Sequence, residues 1–248
     1  MAELFNTALY QPIFNALIFL YNVIPGDNIG IAIIVLTVLI KLILFPFSWK
    51  SIKSQRALQA IQPKMAELKK KFADQKEKLA AEMMKLYKTE KVSPFSSCLP
   101  LLIQLPFLFA VFRVFRDGFR DEALSMLYPF VNNPGHVNSW VYGVDLAQPN
   151  LILAILTGAV QFWQAKMMIT TKQPKVAGAK DEAMLSAMNK QMVYFMPIFT
   201  VIIGMQLPAG LMVYWMTTTL LMVFQQYYIF GKDKHKDEKV EVIDQKPN

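Results

Sequence analysis

NIGIAIIVLTVLIKLILFPFSW, residues Asn28 to Trp49, decides how the rest of this chain is read. Residues 29–40 carry no charge and are mainly Ile, Leu and Val, and the apolar run resumes from Leu42 to Phe47 after a single cation, Lys41. A bilayer core of ~30 Å needs ~20 helical residues, so residues 29–47 read as a membrane-spanning helix. A cation at that depth costs roughly 2.5 to 3.5 kcal/mol on insertion scales and usually faces a partner, a cavity or water. Thr37, four residues earlier, falls on the same helical face. The competing reading is snorkelling: Lys50 lies ~13 Å of helix rise away, and a lysine stem covers part of that distance.

Four further apolar blocks follow, at about 97–115, 151–169, 191–206 and 211–230. Pro100 and Pro106 flank Gln104 in the first, Gln161, Trp163 and Gln164 sit late in the second, and Pro197 interrupts the third. The last carries Tyr214, Trp215, Thr217, Thr218, Thr219, Gln225 and Gln226. With 54% hydrophobic residues and a mean hydropathy of +0.30 over 248 residues, the fold class is an all-α integral membrane protein with five transmembrane helices. Residues 1–27 contain neither the basic start nor the small-residue cleavage site of a secretory leader. They read as an interfacial amphipathic helix, with Phe14, Leu17, Ile18 and Leu20 or Tyr21 directed toward lipid.

Between the first two spans, Ser48 to Ser96 holds twelve Lys or Arg against five acids. Met65, Leu68 and Phe72 recur at helical spacing, as do Leu79, Met83 and Leu86, which predicts two amphipathic helices meeting near Asp74 as a hairpin over residues 50–91. Its lysines, among them Lys69, Lys70, Lys71, Lys85 and Lys88, suit anionic lipid head groups or ribosomal RNA. A block from Lys166 to Lys190 and the tail, residues 231–248, each add five cations. The basic side of a membrane protein is cytoplasmic, so the N-terminus reads as outside and the C-terminus as inside. Arg113, Arg116 and Arg120 at the far end of the second span are the discordant charges. The tail is neutral overall and reads as disordered.

No phosphate loop, nucleophile elbow, HExxH or paired carboxylate occurs, which argues against an enzyme. Cys98 stands alone and reads as a small apolar residue, and His136 falls among loop residues. The spans contain no Asp or Glu, which weakens an ion-coupled transporter. What they hold is one cation with neutral polar groups: Lys41, Thr37, Gln104, Gln161, Gln164, Gln206, Tyr214 and Thr218. Converging, these groups would form a hydrophilic cavity carrying one positive charge, although helix-to-helix hydrogen bonding would use the same residues.

The string EMMKLYKTEKVSPFSSCLPLLIQLPFLFAVF at 82–112, with LTVLIKLILFP before it and LPAGLMVYW after it, resembles the YidC family of membrane protein insertases. The likeness covers the core from about 28 to 230 and is to a short form without the large extracytoplasmic domain. It implies an insertase and chaperone of the bacterial plasma membrane, working without cofactor, metal or covalent chemistry. Its substrate groove would include Lys41, where the family usually has arginine, with Thr37, Gln104, Gln161, Gln164, Tyr214, Trp215 and Thr218. The implied partners are nascent membrane proteins and membrane lipids, with the Sec translocon, and the ribosome through the basic hairpin, as further candidates; DNA is not among them. The alternatives are a small-solute transporter or anion channel using Lys41, and an assembly subunit that packs other membrane proteins without inserting them.

Overall fold

In the computed structural model, residues 2–73, 75–93, 99–117, 121–168 and 191–244 are described; Asp74, Cys98, Arg120 and the loop 170–190 lie outside them. The chain is mostly helical: α1 (Ala2–Phe5), α2 (Gln11–Val23), α3 (Ile29–Ile43), α4 (Phe45–Ala60), α5 (Gln62–Lys71), α6 (Lys76–Thr89) and α7 (Leu99–Asp117) precede α8 (Leu151–Met168), α9 (Met196–Gly204) and α10 (Ala209–Asp244). Single π-helical turns, Asn6–Tyr10 and Gln191–Phe195, lead into α2 and α9. The connection from α7 to α8 carries a 3-10 turn, Asp121–Met126, and a two-residue antiparallel pair, β1 (Trp140–Val141) with β2 (Val144–Asp145).

Local chemistry sets the helix ends. Asn28 caps α3, its Oδ1 accepting from Ile31 N at 3.1 Å, and Asn150 caps α8 through Leu153 N at 3.0 Å. Each cap satisfies an otherwise orphaned N–H. At the start of α10 the loop does the same, with Ala209 N and Gly210 N donating to Gln148 O and Leu146 O, both at 2.9 Å. Gly210 has no substitute there, because a Cβ would stand 2.9 Å from the Phe115 ring at the end of α7.

The expected first span, 29–47, is divided. α3 ends at Leu44 and the chain continues as α4, bent from it by 69°. Pro46 accounts for the break: it has no N–H to give the Leu42 carbonyl, and its ring crowds that carbonyl. α3 and Phe45–Leu58 have the length and apolar composition of a span only when taken together, and among the described residues no single helix is long and apolar enough to cross a membrane. In α7, Pro106 lies within a continuous helix.

α3 packs on α2 and α10, and α8 packs on α9 and α10. The core is centred on Phe14, Leu17, Ile18, Ile29, Ile33, Leu36, Val111, Val114, Leu211 and Met212. This corrects the reading of the N-terminal helix. Phe14, Leu17, Ile18 and Tyr21 are buried within the protein and face α3, α7 and the α7–α8 connection; the exposed apolar residues of α2 are Phe19 and Val23. The hydrophobic stripe was located correctly, but its partner is protein rather than lipid.

Two packed helices, α5 and α6, form a hairpin over residues 62–89, shorter than the expected 50–91 because residues 50–60 belong to α4. The Met65, Leu68, Phe72 and Leu79, Met83, Leu86 stripes are half-buried, and Tyr87 Oη donates to Met65 Sδ at 3.8 Å. Burial pushes the Tyr87 phenol above its usual range. Lys64 closes the open end on Glu90 at 2.5 Å. The tail departs from the expected disorder, since α10 continues to Asp244. Its sequence there is dominated by Lys, Asp and Glu of alternating sign with no proline before Pro247, and Lys and Glu are good helix formers.

Candidate functional site

Lys41 is in the last turn of α3 and is buried, 7% exposed. Its Nζ donates to Gln104 Oε1 of α7 at 3.1 Å, and Gln104 Nε2 donates to Tyr214 Oη of α10 at 2.5 Å. Three side chains therefore tie three helices together through one amide. Each helix contributes for a local reason. α3 supplies the depth, being apolar on both sides of the lysine. α7 presents Gln104 two residues before the exposed Pro106. α10 is held at its start by the two loop carbonyls, which fixes Tyr214 within its second turn.

Among the described residues Lys41 is paired with no carboxylate, and its hydrogen bond ends on a neutral oxygen. A buried ammonium normally acquires a counter-charge, since desolvating it costs several kcal/mol. Within the described residues this charge has no counter-ion and meets the neutral oxygen of the Gln104 amide.

The other expected residues divide. Thr37 is fully buried one turn from Lys41, but its hydroxyl donates to Ile33 O of its own helix at 2.6 Å. Thr218 is buried one turn beyond Tyr214, beside its hydroxyl. Trp215 is half-buried against the core. Gln161 and Gln164 lie on α8, half-buried, and neither is hydrogen-bonded to the lysine chain; Gln161 Oε1 is buried and unpaired. Gln206 does not belong with them, because it is exposed in the turn before α10. Of the hairpin lysines, Lys70, Lys71, Lys85 and Lys88 are exposed, and Lys69 is half-buried with a polar or charged partner.

Two buried polar links were not anticipated. Thr157 of α8 donates to Leu153 O at 2.7 Å and reaches Met212 O of α10 at 3.3 Å. Asn15 of α2 donates to Met126 O at 3.1 Å and accepts from Tyr128 N at 2.6 Å. A lone Asn in IFNALIFLY is the signal that could have identified the second; a threonine between apolar residues gives none. Two of the three arginines that run against the charge rule, Arg113 and Arg116, have local partners, and Arg120 lies outside the described residues. Arg113 stacks over Tyr10 at 4.7 Å and donates to Asn6, while Arg116 binds Asp117 through two nitrogens at 2.9 and 2.8 Å.

The sequence model of the family described as 60Kd inner membrane protein matches residues 19–237. A protein of Fusobacterium nucleatum called Membrane protein insertase YidC is 38% identical over 205 residues, 83% of this chain and 87% of its own. Proteins of that name from Magnetococcus marinus and Syntrophus aciditrophicus are each 34% identical over 229 and 221 residues, 92% and 89% of this chain. The chain spans 36% of the length of these two longer relatives.

Proposed function

The chain belongs to the 60Kd inner membrane protein family, proteins of the bacterial membrane, and from that premise we propose that it inserts newly made membrane proteins. The observation that carries the reading is the buried Lys41, without a counter-ion among the described residues, held by Gln104 and Tyr214.

A nascent membrane protein must bring a short hydrophilic segment through hydrocarbon. That passage is costly because unpaired polar groups lose water. Lys41 draws an acidic side chain of the segment inward, and the carboxylate takes the place of the Gln104 oxygen. The exchange is favourable because a carboxylate brings the buried ammonium an opposite charge that the neutral amide oxygen lacks, and that attraction is stronger in a low-dielectric site than in water. Gln161, whose buried oxygen is unpaired among the described residues, offers the segment an acceptor along the same route and makes up a polar groove with Thr218, Thr37, Gln164 and Trp215. The following apolar helix then leaves sideways into lipid, driven by its own burial at roughly 25 cal/mol per Å². Nothing in the scheme requires a nucleotide or a bound cofactor.

Five spans with the N-terminus outside remain the arrangement that fits the Lys and Arg distribution, with α3 and the apolar start of α4, residues 29–47, serving as a bent first span. The lysine of this groove differs from an arginine in kind: it is a compact point charge without the planar fork of five donors.

The test uses proteoliposomes containing only this protein and a small substrate with an acidic outer segment. Insertion is expected from the unchanged chain, is lost with Lys41→Ala and is kept with Lys41→Arg. Equal insertion by the Lys41→Ala protein, or dependence on Lys41 that persists once the substrate's acids are removed, would sink the attraction model.

A further inference from the structure

At the elbow between α3 and α4, exposed apolar side chains and cations meet in a fixed order. Leu42, Ile43, Phe45 and Phe47 are 62, 74, 40 and 57% exposed. Immediately after them α4 turns cationic with Lys50, Lys53 and Arg56, and residues 45–60 contain no Asp or Glu. The opposite face of α4 is accounted for, since Ser51 and Ile52 are buried against the body of the protein. The exposed face is therefore not a slipped core face. It is an amphipathic surface built in sequence from grease to charge.

The aromatic residues between the two zones are organised as a ladder. Phe45 and Trp49 have ring centroids 5.7 Å apart, Trp49 and Tyr228 of α10 are 5.9 Å apart, and Lys53 Nζ lies 5.6 Å above the Trp49 ring. Phe224 and Tyr227 extend the exposed aromatic surface on α10. Trp and Tyr concentrate where hydrocarbon meets head groups, and a lysine against an indole face keeps its charge at that level.

We propose that this elbow binds an anionic phospholipid, with the head-group phosphate at Lys53 and Lys50 beside Trp49 and Tyr228, and the acyl chains over Leu42, Ile43, Phe45 and Phe47. Charge complementarity selects an anion, and the adjoining exposed apolar residues select a lipid. A polynucleotide would satisfy the lysines but leave those four side chains in water. The site is separate from the Lys41 chain and does not depend on the insertion mechanism.

The full-length protein in detergent micelles doped with either phosphatidylglycerol or phosphatidylcholine, with bound lipid counted by native mass spectrometry, tests this. Phosphatidylglycerol is expected to be retained in preference. The preference should fall roughly fivefold for each of Lys50→Gln and Lys53→Gln, the equivalent of about 1 kcal/mol per basic residue at an anionic surface. Lys53→Arg should keep it, as should Lys85→Gln on the exposed hairpin. Equal retention of the two lipids, or a loss with Lys85→Gln as large as with Lys53→Gln, overturns the proposal. So does displacement of phosphatidylglycerol by a single-stranded RNA oligonucleotide acting through Lys50 and Lys53, which would assign the surface to nucleic acid. Solute-free insertion assays play no part, so a failed groove leaves this result readable.

Discussion

Gln104 is the pivot of the buried chain because a primary amide accepts with one atom and donates with the other. It receives from Lys41 and gives to Tyr214, so its replacements separate charge from packing. Gln104→Leu leaves a buried ammonium without an acceptor and is expected to destabilise the protein by about 3 kcal/mol, read as a lowered thermal midpoint in detergent. Tyr214→Phe removes one neutral acceptor and should cost about 1 kcal/mol. Gln104→Glu is the sharper experiment. It supplies Lys41 with a fixed counter-ion, so the protein should fold at least as well while insertion of an acidic-tailed substrate drops to the Lys41→Ala level; undiminished insertion would contradict the uncompensated-charge account. Lys41 itself was legible in the sequence, since one cation in an apolar run stands out. Its partners were less so. A neutral polar residue in a span carries no mark of whether it bonds across helices, like Gln104, or to its own backbone, like Thr37 on Ile33 and Thr219 on Trp215.

Helices were found where the apolar periodicity placed them, while their ends and partners often were not. A 3.6-residue pattern says which residues share a face and is silent on what covers that face, which is why the stripe of α2 was assigned to lipid when Phe14 and Ile18 meet protein. The division of the first span had a visible cause in Pro46, but proline is tolerated in many membrane helices when neighbours re-satisfy the freed carbonyl. Only packing decides between a kink and a break. Close approach is equally hidden. On α8, a Cβ at Gly158 would stand 2.5 Å from Val201 Cγ2 and 3.1 Å from Pro197 O of α9. Gly158→Val is therefore expected to cost about 2–3 kcal/mol by overpacking and to loosen α9, seen as a lower midpoint and faster protease cleavage beside it. A comparably large residue at exposed Leu156 on the same helix should have little effect.

Across the whole molecule the α7–α8 connection acts as a tie. It binds α2 through Asn15 and Gln11 on Met126 O, through Asn22 on Asn132 O at 2.6 Å, and through Tyr21, whose hydroxyl accepts from Asn138 N at 3.1 Å. It then holds the first turn of α10 by Leu146 and Gln148. One loop thus clamps α2 and the start of α10 to a common frame. Asn15→Leu strands Tyr128 N and leaves Met126 O to Gln11 alone, and should destabilise by about 2 kcal/mol, with residues 121–138 becoming the first site of limited proteolysis. That frame gives the break at Leu44 its mechanical meaning. Above it, α3 is gripped by the core; below it, α4 runs sixteen residues, about 24 Å at 1.5 Å per residue, held along its length by Trp49 on Tyr228 and by buried Ser51 and Ile52, with the hairpin at its tip. A swing of ~10° about Leu44 carries the far end ~4 Å over that length. Such a swing would pull Ser51 and Ile52 out of the body of the protein, so the packed part of α4 ties the position of the tip to the segment three residues from Lys41.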